Sequence, residues 1–430
     1  MLALLTAASL GSFSLSTCAA TDPVIFTFST VGDTRQDPTK ADTTTLLPPA
    51  TGGMLLPQDA QWLQNTHAWA RILRTVQSQK ANLLFVNGDM IMGYGRTAVP
   101  SAWGTTAPAT PSAVVNSDLV KFYTQYAYWR GMISNMFETN TYVVPVPGNH
   151  EIQCNSAVST NTGASACASG KHAYVENEEA WRTNMGDLIG DLDPAVNLRF
   201  QTVVGKVASN VSGLIPSTAP TSATDPVVLP AGGISTSQAD LSYSFDINTA
   251  VGLLHFVVIN TDAVGFDSHA PVGWLANDLS TAHSHGAVKF FVFGHKPAFT
   301  YDYLGNGLGT ATNQVGIAGL DNDIPARNVF WKLIAQYNAT YFSGHEHTTK
   351  IDTHADQTGT YTTTPWQVLV GSGGSPFDPK YNAASISPTD RYYAWATVRV
   401  HQSGAVTLDA YGFSDSFGPT QVIQSIGSLQ

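Results

Sequence analysis

Six short runs rich in β-branched and aromatic residues recur along the chain, and each stops abruptly at a polar cluster. The runs cover residues 24–31, 82–87, 141–146, 255–259, 288–293 and 340–342, and the clusters are Gly-Asp-Thr-Arg, Gly-Asp-Met, Pro-Gly-Asn-His-Glu, Asn-Thr-Asp, Gly-His-Lys-Pro and Ser-Gly-His-Glu-His. Runs of this kind predict strands. Strand ends that carry polar side chains are typical of an α/β fold whose site lies at the carboxyl edge of its sheet.

Between the runs, apolar residues recur at the three- and four-residue spacing of helices. These stripes predict helices near residues 62–76, 119–136 and 329–337, and we expect their aromatic residues to lie in the core. Residues 392–413 predict a hairpin that turns at Ser403 and Gly404.

Three polar stretches interrupt this pattern, at residues 36–58, 93–116 and 152–240. The last is rich in Ser, Thr, Gly and Pro, and it begins directly after Asn149, His150 and Glu151. Long stretches of this composition are usually functional loops or disordered segments. We therefore expect loop inserts, with residues 152–240 as a possible lid over the site.

The first 20 residues are apolar and end in small residues, as in a secretory signal cleaved near Ala20, although the usual basic start is missing. A lipoprotein cleavage before Cys18 is disfavoured because Thr17 suits that site poorly. After cleavage only Cys154 and Cys167 remain, which favours one disulfide over two free thiols in an exported protein. We expect a secreted or periplasmic protein, since no other run approaches the roughly 18 apolar residues of a membrane span.

The charge balance bears on possible partners. Lys and Arg total 20 and Asp and Glu total 31, for a formal net charge of -11. No basic cluster suggests a nucleic-acid-binding surface. A small anionic substrate would have to be attracted locally, by a metal or a few cations, because the overall field opposes it. The oligomeric state is left open.

The polar clusters bring together the residue types that bind transition metals. They supply two carboxylates, one amide and four imidazoles: Asp33, Asp89, Asn149, His150, His295, His345 and His347. Carboxylate oxygen and neutral imidazole nitrogen suit Fe, Zn and Mn. Two such ions about 3.5–4 Å apart need one bridging carboxylate, and they activate water for attack on a phosphoryl group. An imidazole that binds no metal could protonate the leaving oxygen.

Five of the clusters, in this order, resemble the motifs of the calcineurin-like metallophosphoesterase superfamily. They match at residues 32–35, 88–89, 148–151, 294–297 and 344–347. One such motif says little, but five in order, each after a predicted strand, are a specific signal. The resemblance implies a β-sandwich flanked by helices, with one catalytic domain over residues 21–430 and its site at the strand ends.

The resemblance also implies a role for each matched residue. Asp89 bridges two metal ions, divalent or trivalent, which would be Fe, Zn or Mn. Asp33 and His347 bind the first ion. His150 is the general acid or orients the substrate phosphate. The second ion takes the remaining ligands, which are Asn149, His295 and His345.

Two positions depart from the family pattern. Where the family commonly has a histidine ligand, this chain has Arg35, which stays protonated and cannot bind a metal. Purple acid phosphatases, which share Gly-Asn-His-Glu, have a metal-binding tyrosine where this chain has Met92, and the nearest tyrosine is Tyr94. The first metal thus lacks a ligand: water fills the position, which we favour, or Tyr94 reaches in, or the metal binds weakly. Arg35 would hold substrate phosphate in a bidentate fork, or be a structural or solvated residue near the mouth.

Other conspicuous polar residues have simpler interpretations. His283 and His285 have metal-like spacing but lie in a polar loop, so we expect them at the surface. His255 begins a buried strand and is expected to be a hydrogen-bonded core histidine. Lys296 is expected to face water at a strand end. His172, in the long insert, could reach the substrate.

Three functions fit this sequence. The first is an exported, metal-dependent hydrolase of phosphomonoesters. The second is a phosphodiesterase acting on nucleotides or lipid head groups, with the long insert setting selectivity. The third is a non-catalytic phosphate- or ligand-binding protein with a decayed metal site, suggested by Arg35 and the missing tyrosine.

Overall fold

The computed structural model describes residues 22–35, 57–100, 103, 110–138, 141–190, 238, 240–301, 319–375, 377–378 and 388–430. The predicted signal at residues 1–20, most of the stretch 36–58 and residues 191–237 of the long insert lie outside this part. Within it, the α/β class is confirmed: strands form two main sheets, and helices flank them.

The elements follow one another along the chain. The strands are β1 (Val24–Val31), β2 (Leu83–Asn87), β3 (Tyr142–Val146), β4 (Gln153–Asn155), β5 (Lys171–Ala173), β6 (Tyr243–Thr249), β7 (Gly252–Val258), β8 (Asp262–Ala263), β9 (Phe266–Asp267), β10 (Ala287–Phe293), β11 (Thr340–Ser343), β12 (Thr349–Thr353), β13 (Trp366–Val370), β14 (Tyr392–His401), β15 (Val406–Ser414) and β16 (Gln421–Ile426). The helices are α1 (Pro57–Ser78), α2 (Pro111–Val115), α3 (Asp118–Glu138), α4 (Asn149–Ile152), α5 (Val175–Gly190), α6 (Val272–Ser284) and α7 (Ile324–Gln336).

Each main sheet has a parallel centre and antiparallel edges. The first has the order β16-β15-β14-β1-β2-β3, in which β1, β2 and β3 are parallel. The second has the order β12-β13-β11-β10-β7-β6, in which β7, β10, β11 and β13 are parallel. All six predicted strands lie in these parallel centres. Their carboxyl ends therefore point to common edges, where the polar clusters follow.

The two sheets pack face to face through aromatic side chains. Phe28 of β1 lies 5.0 Å from Phe291 of β10 and 5.7 Å from Phe342 of β11, between ring centroids. Phe85 of β2 stacks on Phe293 with centroids 3.6 Å apart. Because alternate residues of a strand point to opposite faces of its sheet, these rings belong to the two faces that meet between the sheets. The predicted β-sandwich is thus confirmed, with an aromatic core between its sheets.

Helices cover the outer faces of the sandwich. Trp69 of α1, Trp129 of α3 and Trp181 of α5 are buried in the same core as the first sheet. Leu275 of α6 and Trp331 of α7 pack in a second cluster with the outer face of the second sheet. The predicted helical stripes are confirmed, and Trp69, Phe122, Tyr126, Trp129 and Phe330 lie in the core as expected, while Tyr337 is partly buried against it.

The long insert departs in part from the expected loop. Its first part forms the hairpin β4–β5 and the helix α5. The loop interpretation was wrong here because α5 is polar overall, although Trp181, Met185 and Leu188, spaced four and three apart, are buried on one face of it. Cys154 and Cys167 in this region lie close, with Cα atoms 6.0 Å apart, and form the expected disulfide.

Two further sequence expectations are met in the fold. The C-terminal hairpin pairs β14 with β15 and turns at Ser403 and Gly404, where Gly404 has a φ of 88° that suits glycine. Within the described residues, no helix combines the length and apolar character needed to cross a bilayer.

His255 on β7 is a core histidine held between two carboxylates. Its Nδ1 lies 2.6 Å from Asp246 and its Nε2 lies 2.9 Å from Asp278, and all three side chains are buried. Both ring nitrogens donate, so the ring is an imidazolium. Burial opposes this charge, but the hydrogen bonds to Asp246 and Asp278 outweigh it and raise the pKa of His255 to about 9. The expected hydrogen-bonded core histidine is present.

We expect this triad to make stability depend on pH above neutrality. A pKa of about 9 in the fold, against an ordinary 6.5, stabilises the protein by roughly 3 kcal/mol. This stabilisation is complete below pH 6.5 and is lost as pH rises through 9, because the imidazolium deprotonates. His255→Gln should therefore be less stable at pH 7 by roughly 3–5 kcal/mol, because two buried carboxylates lose their cation. The difference in free energy of unfolding between His255→Gln and the wild type should be smaller at pH 10 than at pH 7.

Urea unfolding of both proteins from pH 6 to pH 10 measures this gap. His285→Gln is the matched control, since His285 is exposed at the end of α6. It should follow the wild type at every pH. A gap for His255→Gln that stays constant from pH 7 to pH 10 would show that His255 is not charged in the fold.

Candidate metal centre

The polar residues predicted from the strand ends meet at one place. Asp33 follows β1, Asp89 follows β2 and Asn149 follows β3, so the parallel centre of the first sheet brings these three to one edge. His295 follows β10 and His345 follows β11, so the second sheet contributes from the facing edge. His347 and His150 lie one or two residues further along their loops. Sequence reasoning placed all seven side chains together, and the structure does the same.

The backbone at these strand ends is locally strained. Asp33, Asp89 and His345 adopt φ values of 57°, 54° and 75°, in the left-handed region that non-glycine residues rarely occupy. Gly88, with a φ of 80°, allows close approach, because a Cβ there would lie 2.5 Å from Nδ1 of His295. Strain of this kind is concentrated at functional sites. Glycine before the polar residue therefore allows the strand ends to approach closely enough for the site residues to meet.

One group of ligand atoms surrounds Oδ1 of Asp89. Asp89, His295 and His345 each offer an atom within 4.8 Å of the others. Nε2 of His295 lies 3.1 Å from Asp89 Oδ1 and 2.8 Å from Asn149 Oδ1. Nδ1 of His345 lies 2.9 Å from the same Asn149 oxygen. Four of the predicted ligands thus point at one another.

The hydrogen bonds around this group leave electron pairs pointing inward. Nδ1 of His295 donates to the carbonyl oxygen of Asn87 at 2.7 Å, so in the neutral ring Nε2 is the nitrogen that can bind a metal. The amide nitrogen of Asn149 donates to the hydroxyl of Tyr94, which turns its oxygen inward. Burial, with help from His295, lowers the pKa of His345 well below its ordinary value, so that this ring is neutral. Converging acceptors repel one another unless a cation lies between them, so the donor set fits a metal ion.

A second group shares Asp89 with the first. Asp33, Asp89 and His347 also offer atoms within 4.8 Å of one another. Nε2 of His347 lies 3.3 Å from Asp33 Oδ1, while Asp33 Oδ2 accepts the backbone N–H of His345 at 2.7 Å. Burial opposes charge on His347, but Asp378 outweighs this and raises the pKa of His347. The described residues thus form two candidate ligand groups that could hold two metal ions, with one carboxylate in common.

Arg35 is paired with both carboxylates of the centre. Its Nη1 donates to Asp89 Oδ2 at 2.7 Å and lies 3.4 Å from Asp33 Oδ1. The residue is only 6% exposed, so it is not the solvated arginine that was one of the alternatives, whereas a structural or phosphate-binding role stays open. Burial would raise the pKa of Asp89, but the charge of Arg35, together with that of His150 and His295 whenever these rings are protonated, outweighs it and lowers the pKa, so this carboxylate stays ionised.

His150 lies at the edge of the centre and belongs to neither ligand group. Its Nδ1 donates to the carbonyl oxygen of Met92, and its ring packs on Tyr94 with centroids 3.7 Å apart. The other nitrogen, Nε2, lies 3.6 Å from Asp89 Oδ2. Burial, with the charge of Arg35, lowers the pKa of His150 well below its ordinary value, so the ring is neutral before substrate binds.

Glu151 holds the loops of the centre together, a role that sequence reasoning did not assign. Its buried carboxylate accepts backbone N–H groups of Asp89, Met90, Ile91 and Gly148 at 2.7–3.0 Å. Burial, with the charge of Asp89, raises the pKa of Glu151 to about 7. The available signal was its place in Gly-Asn-His-Glu, directly beside the two site residues.

Asp378 was also missed. Its Oδ2 accepts the backbone N–H of His347 at 2.7 Å, and its Oδ1 lies 3.6 Å from Nδ1 of that ring. A carboxylate behind a ligand histidine orients the ring and raises its basicity. The sequence offered no spacing that links Asp378 to His347, because the two residues come together only through the fold.

The structure also shows where Lys296 and the histidines outside the motifs lie. Lys296 was expected to face water, which is wrong: it is 4% exposed, and its Nζ donates to Asp262 at 2.6 Å and Ser268 at 2.8 Å. Asp262 follows β7 and supplies the buried carboxylate that makes burial of the lysine tolerable. His172 is exposed, with Nδ1 3.1 Å from Asp267. His283 and His285 are exposed, as expected.

An apolar cavity of about 360 Å³ lies between the loops after β1 and β2 and helices α1 and α3, and none of the predicted site residues lines it. Thr34, which separates Asp33 from Arg35, and Met90, which follows Asp89, both line it. The rest of its apolar lining includes Trp69, Trp129 and Met132 of α1 and α3. Thr34 and Met90 are thus next to ligand residues in sequence, while Thr34 also bonds to Trp129 of α3 on the cavity side.

No protein-family model and no curated protein matches this sequence. Among solved structures, the purple acid phosphatase PPD1 from yellow lupin (Lupinus luteus) seeds is similar at 12% identity and a TM-score of 0.47, covering 94% of this chain and 53% of that chain. The chain thus spans about half the length of that protein. PhoD is similar at 13% identity and a TM-score of 0.47, covering 94% and 70%.

A third similar structure is GAP50, the anchor in the inner membrane complex of Plasmodium. It has 11% identity and a TM-score of 0.41, covering 94% of this chain and 89% of that chain. At these identities and TM-scores, the neighbours decide nothing about the chemistry of this chain, which has to follow from its own side chains.

Proposed function

We propose that the chain is a metal-dependent phosphoesterase that hydrolyses small phosphomonoesters. The observation that carries this proposal is the sharing of Asp89 between two ligand groups, one with His295 and His345 and one with Asp33 and His347. A carboxylate shared by two sets of terminal ligands is the arrangement that a pair of catalytic metal ions requires.

The ligand types support two divalent or trivalent ions, with Fe, Zn and Mn as candidates. When bound, such ions lower the pKa of a bound water and polarise a phosphoryl oxygen. The protein residues hold the ligand atoms in place: Asn87 orients His295, Asp378 orients His347, and Glu151 fixes the loop of Asp89. Local positive charge would also attract an anionic substrate against the net charge of -11.

His150 is assigned to the proton transfer. Its Nδ1 is fixed on the Met92 carbonyl, which leaves Nε2 to exchange a proton. The ring is neutral at rest and must first gain a proton. An anionic phosphate beside it favours the imidazolium, because opposite charges stabilise each other in a buried site. The proton would then pass from Nε2 to the leaving oxygen. Arg35, predicted to hold the substrate phosphate, is engaged by Asp89 through Nη1 in the resting arrangement.

Turnover of a chromogenic monoester tests the proposed function. The purified protein is freed of metal with a chelator and assayed on p-nitrophenyl phosphate, alone and with Zn²⁺, Mn²⁺ or Fe²⁺. We expect activity only after metal is restored. Metal binding without turnover of any ester would instead favour the non-catalytic ligand-binding alternative. Failure to bind any metal would contradict the proposal altogether.

A phosphodiesterase is the second candidate, and the apolar cavity favours it. A diester carries a second organic group, and a cavity of about 360 Å³ beside Thr34 and Met90 could receive an apolar one, such as part of a lipid. The same assay with bis-p-nitrophenyl phosphate compares the two candidates. A higher kcat/KM for the diester would assign the protein to this class.

We also propose that the protein is exported. The apolar start with small residues near Ala20 supports a cleaved signal, and the Cys154–Cys167 pair supports an oxidising compartment. Both cysteines lie in the stretch 152–240 that was expected as a possible lid, of which residues 191–237 lie outside the described part.

A further inference from the structure

Arg35 is held in the middle of the proposed centre by the backbone as well as by its side chain. The backbone N–H of Arg35 donates to the carbonyl oxygen of Asp89 at 2.9 Å, and that of Asp33 donates to Gly88 at 3.0 Å. These bonds join the loops after β1 and β2. The guanidinium therefore starts beside Asp89, and Nη1 reaches its Oδ2 at 2.7 Å.

The two oxygens of Asp89 have different neighbours. Oδ1 lies 3.1 Å from Nε2 of His295, in the ligand group that also contains His345. Oδ2 is the atom that accepts from Arg35. Nη1 is also 3.4 Å from Asp33 Oδ1, the atom that lies 3.3 Å from Nε2 of His347. The guanidinium thus contacts both carboxylates of the group that contains His347, whereas Asp89 Oδ1 faces His295 and accepts the backbone N–H of His150 at 3.1 Å.

A cation in this position opposes a second cation. Arginine stays protonated, and both Arg35 and Asp89 are buried, so the pair is poorly screened by solvent. A metal bound by Asp33 and His347 would have to displace Nη1 from Asp89 Oδ2 or bind beside a like charge. A metal bound by His295 and His345 would approach Asp89 from the Oδ1 side, so it can leave the bond between Arg35 and Oδ2 in place.

On the basis of the proposed metal centre, we infer that Arg35 gives the two ligand groups of the centre unequal affinities for metal. The half formed by Asn149, His295, His345 and Asp89 Oδ1 binds metal tightly. The half formed by Asp33, His347 and Asp89 Oδ2 binds metal weakly, because the guanidinium already holds its carboxylates as a built-in cation. The protein therefore loads one ion first and a second only at higher metal concentration.

Calorimetric titration of the metal-free full chain with Zn²⁺ tests this inference without any substrate. We expect two binding steps in the wild type, with the second roughly 100-fold weaker or more, as two like charges a few ångströms apart in a buried site imply. Arg35→Gln should tighten the second step at least tenfold and leave the first nearly unchanged. Arg35→His, which adds a neutral ligand, should tighten it further. Arg35→Lys keeps the charge and should keep the second step weak.

The first binding step is an internal control for folding, since a misfolded variant would lose it. Arg399→Gln is the matched control, because Arg399 pairs with Asp409 at 2.6 Å between β14 and β15. It should leave both steps as in the wild type. Two equally tight ions in the wild type, or an unchanged second step in Arg35→Gln with the first step intact, would overturn the inference.

The inference and the proposed function can fail separately. A wild type that binds two ions equally and hydrolyses the monoester refutes the role of Arg35 and keeps the function. A wild type with one tight and one weak ion but no turnover of any ester keeps the role of Arg35 and refutes the function.

Discussion

Asp89→Asn is expected to remove tightly bound metal from the protein and to lower turnover by about 10³-fold or more. The substitution keeps the shape of the side chain but removes the charge that both ligand groups share. Metal ions supply several kcal/mol of transition-state stabilisation in such sites, which corresponds to a loss of this order. Elemental analysis after dialysis, together with the rate on p-nitrophenyl phosphate, measures both effects.

Asp187→Asn is the control for this substitution. Asp187 is an exposed carboxylate on helix α5, and it is paired with Arg130 of helix α3. It should keep wild-type metal content and rate. Circular dichroism and a thermal melt must show that Asp89→Asn remains folded, since Arg35 and His150 also lose a partner. A folded Asp89→Asn protein with unchanged metal content would remove Asp89 from the centre.

His150→Ala is expected to lower kcat by 10²–10⁴-fold with metal content unchanged. His150 belongs to neither ligand group, and its Nε2 is the nitrogen left to transfer a proton. The loss should be larger for an alkyl phosphate, whose leaving oxygen needs a proton, than for p-nitrophenyl phosphate, whose leaving group departs as an anion. The comparison of these two substrates therefore measures the acid role directly.

His150→Gln separates the two roles considered for this residue. An amide can donate a hydrogen bond to phosphate but cannot transfer a proton. A Gln variant as slow as the Ala variant on the alkyl phosphate supports proton transfer, whereas near-wild-type activity would assign His150 to orienting the phosphate. His285→Ala is the matched control, because His285 is exposed at the end of α6. It should keep the wild-type rate.

The sequence predicts the centre well because parallel strands place their ends at common edges. Asp33 and Asp89 are separated by more than fifty residues, yet each lies two residues beyond a strand of the same parallel sheet. Five such strand ends, each with glycine before the polar residue, leave little choice in where those side chains meet. Strand and helix positions followed from periodicity for the same reason: apolar spacing records which face is buried.

The side chains that support the centre were less predictable, because their partners are set by tertiary contacts. No sequence pattern near Lys296 predicts its contact with Asp262, and no pattern predicts the contact between Asp378 and His347. Helix α5 was hidden by its polar composition. Arg35 was recognised as a departure from the family pattern, but its contact with Asp89 depends on how the loops after β1 and β2 are joined. The hydrogen bonds that join these two loops cannot be predicted from the spacing of residues in the sequence.

Anomalous X-ray diffraction at the zinc edge, from crystals of the wild type and Asp89→Asn soaked in Zn²⁺, tests the central claim most directly. The expected result for the wild type is a strong peak enclosed by Asp89, Asn149, His295 and His345, with a weaker one beside Asp33 and His347, and the loss of both in the variant. A wild-type map with zinc bound elsewhere and no peak beside Asp89 would contradict the account.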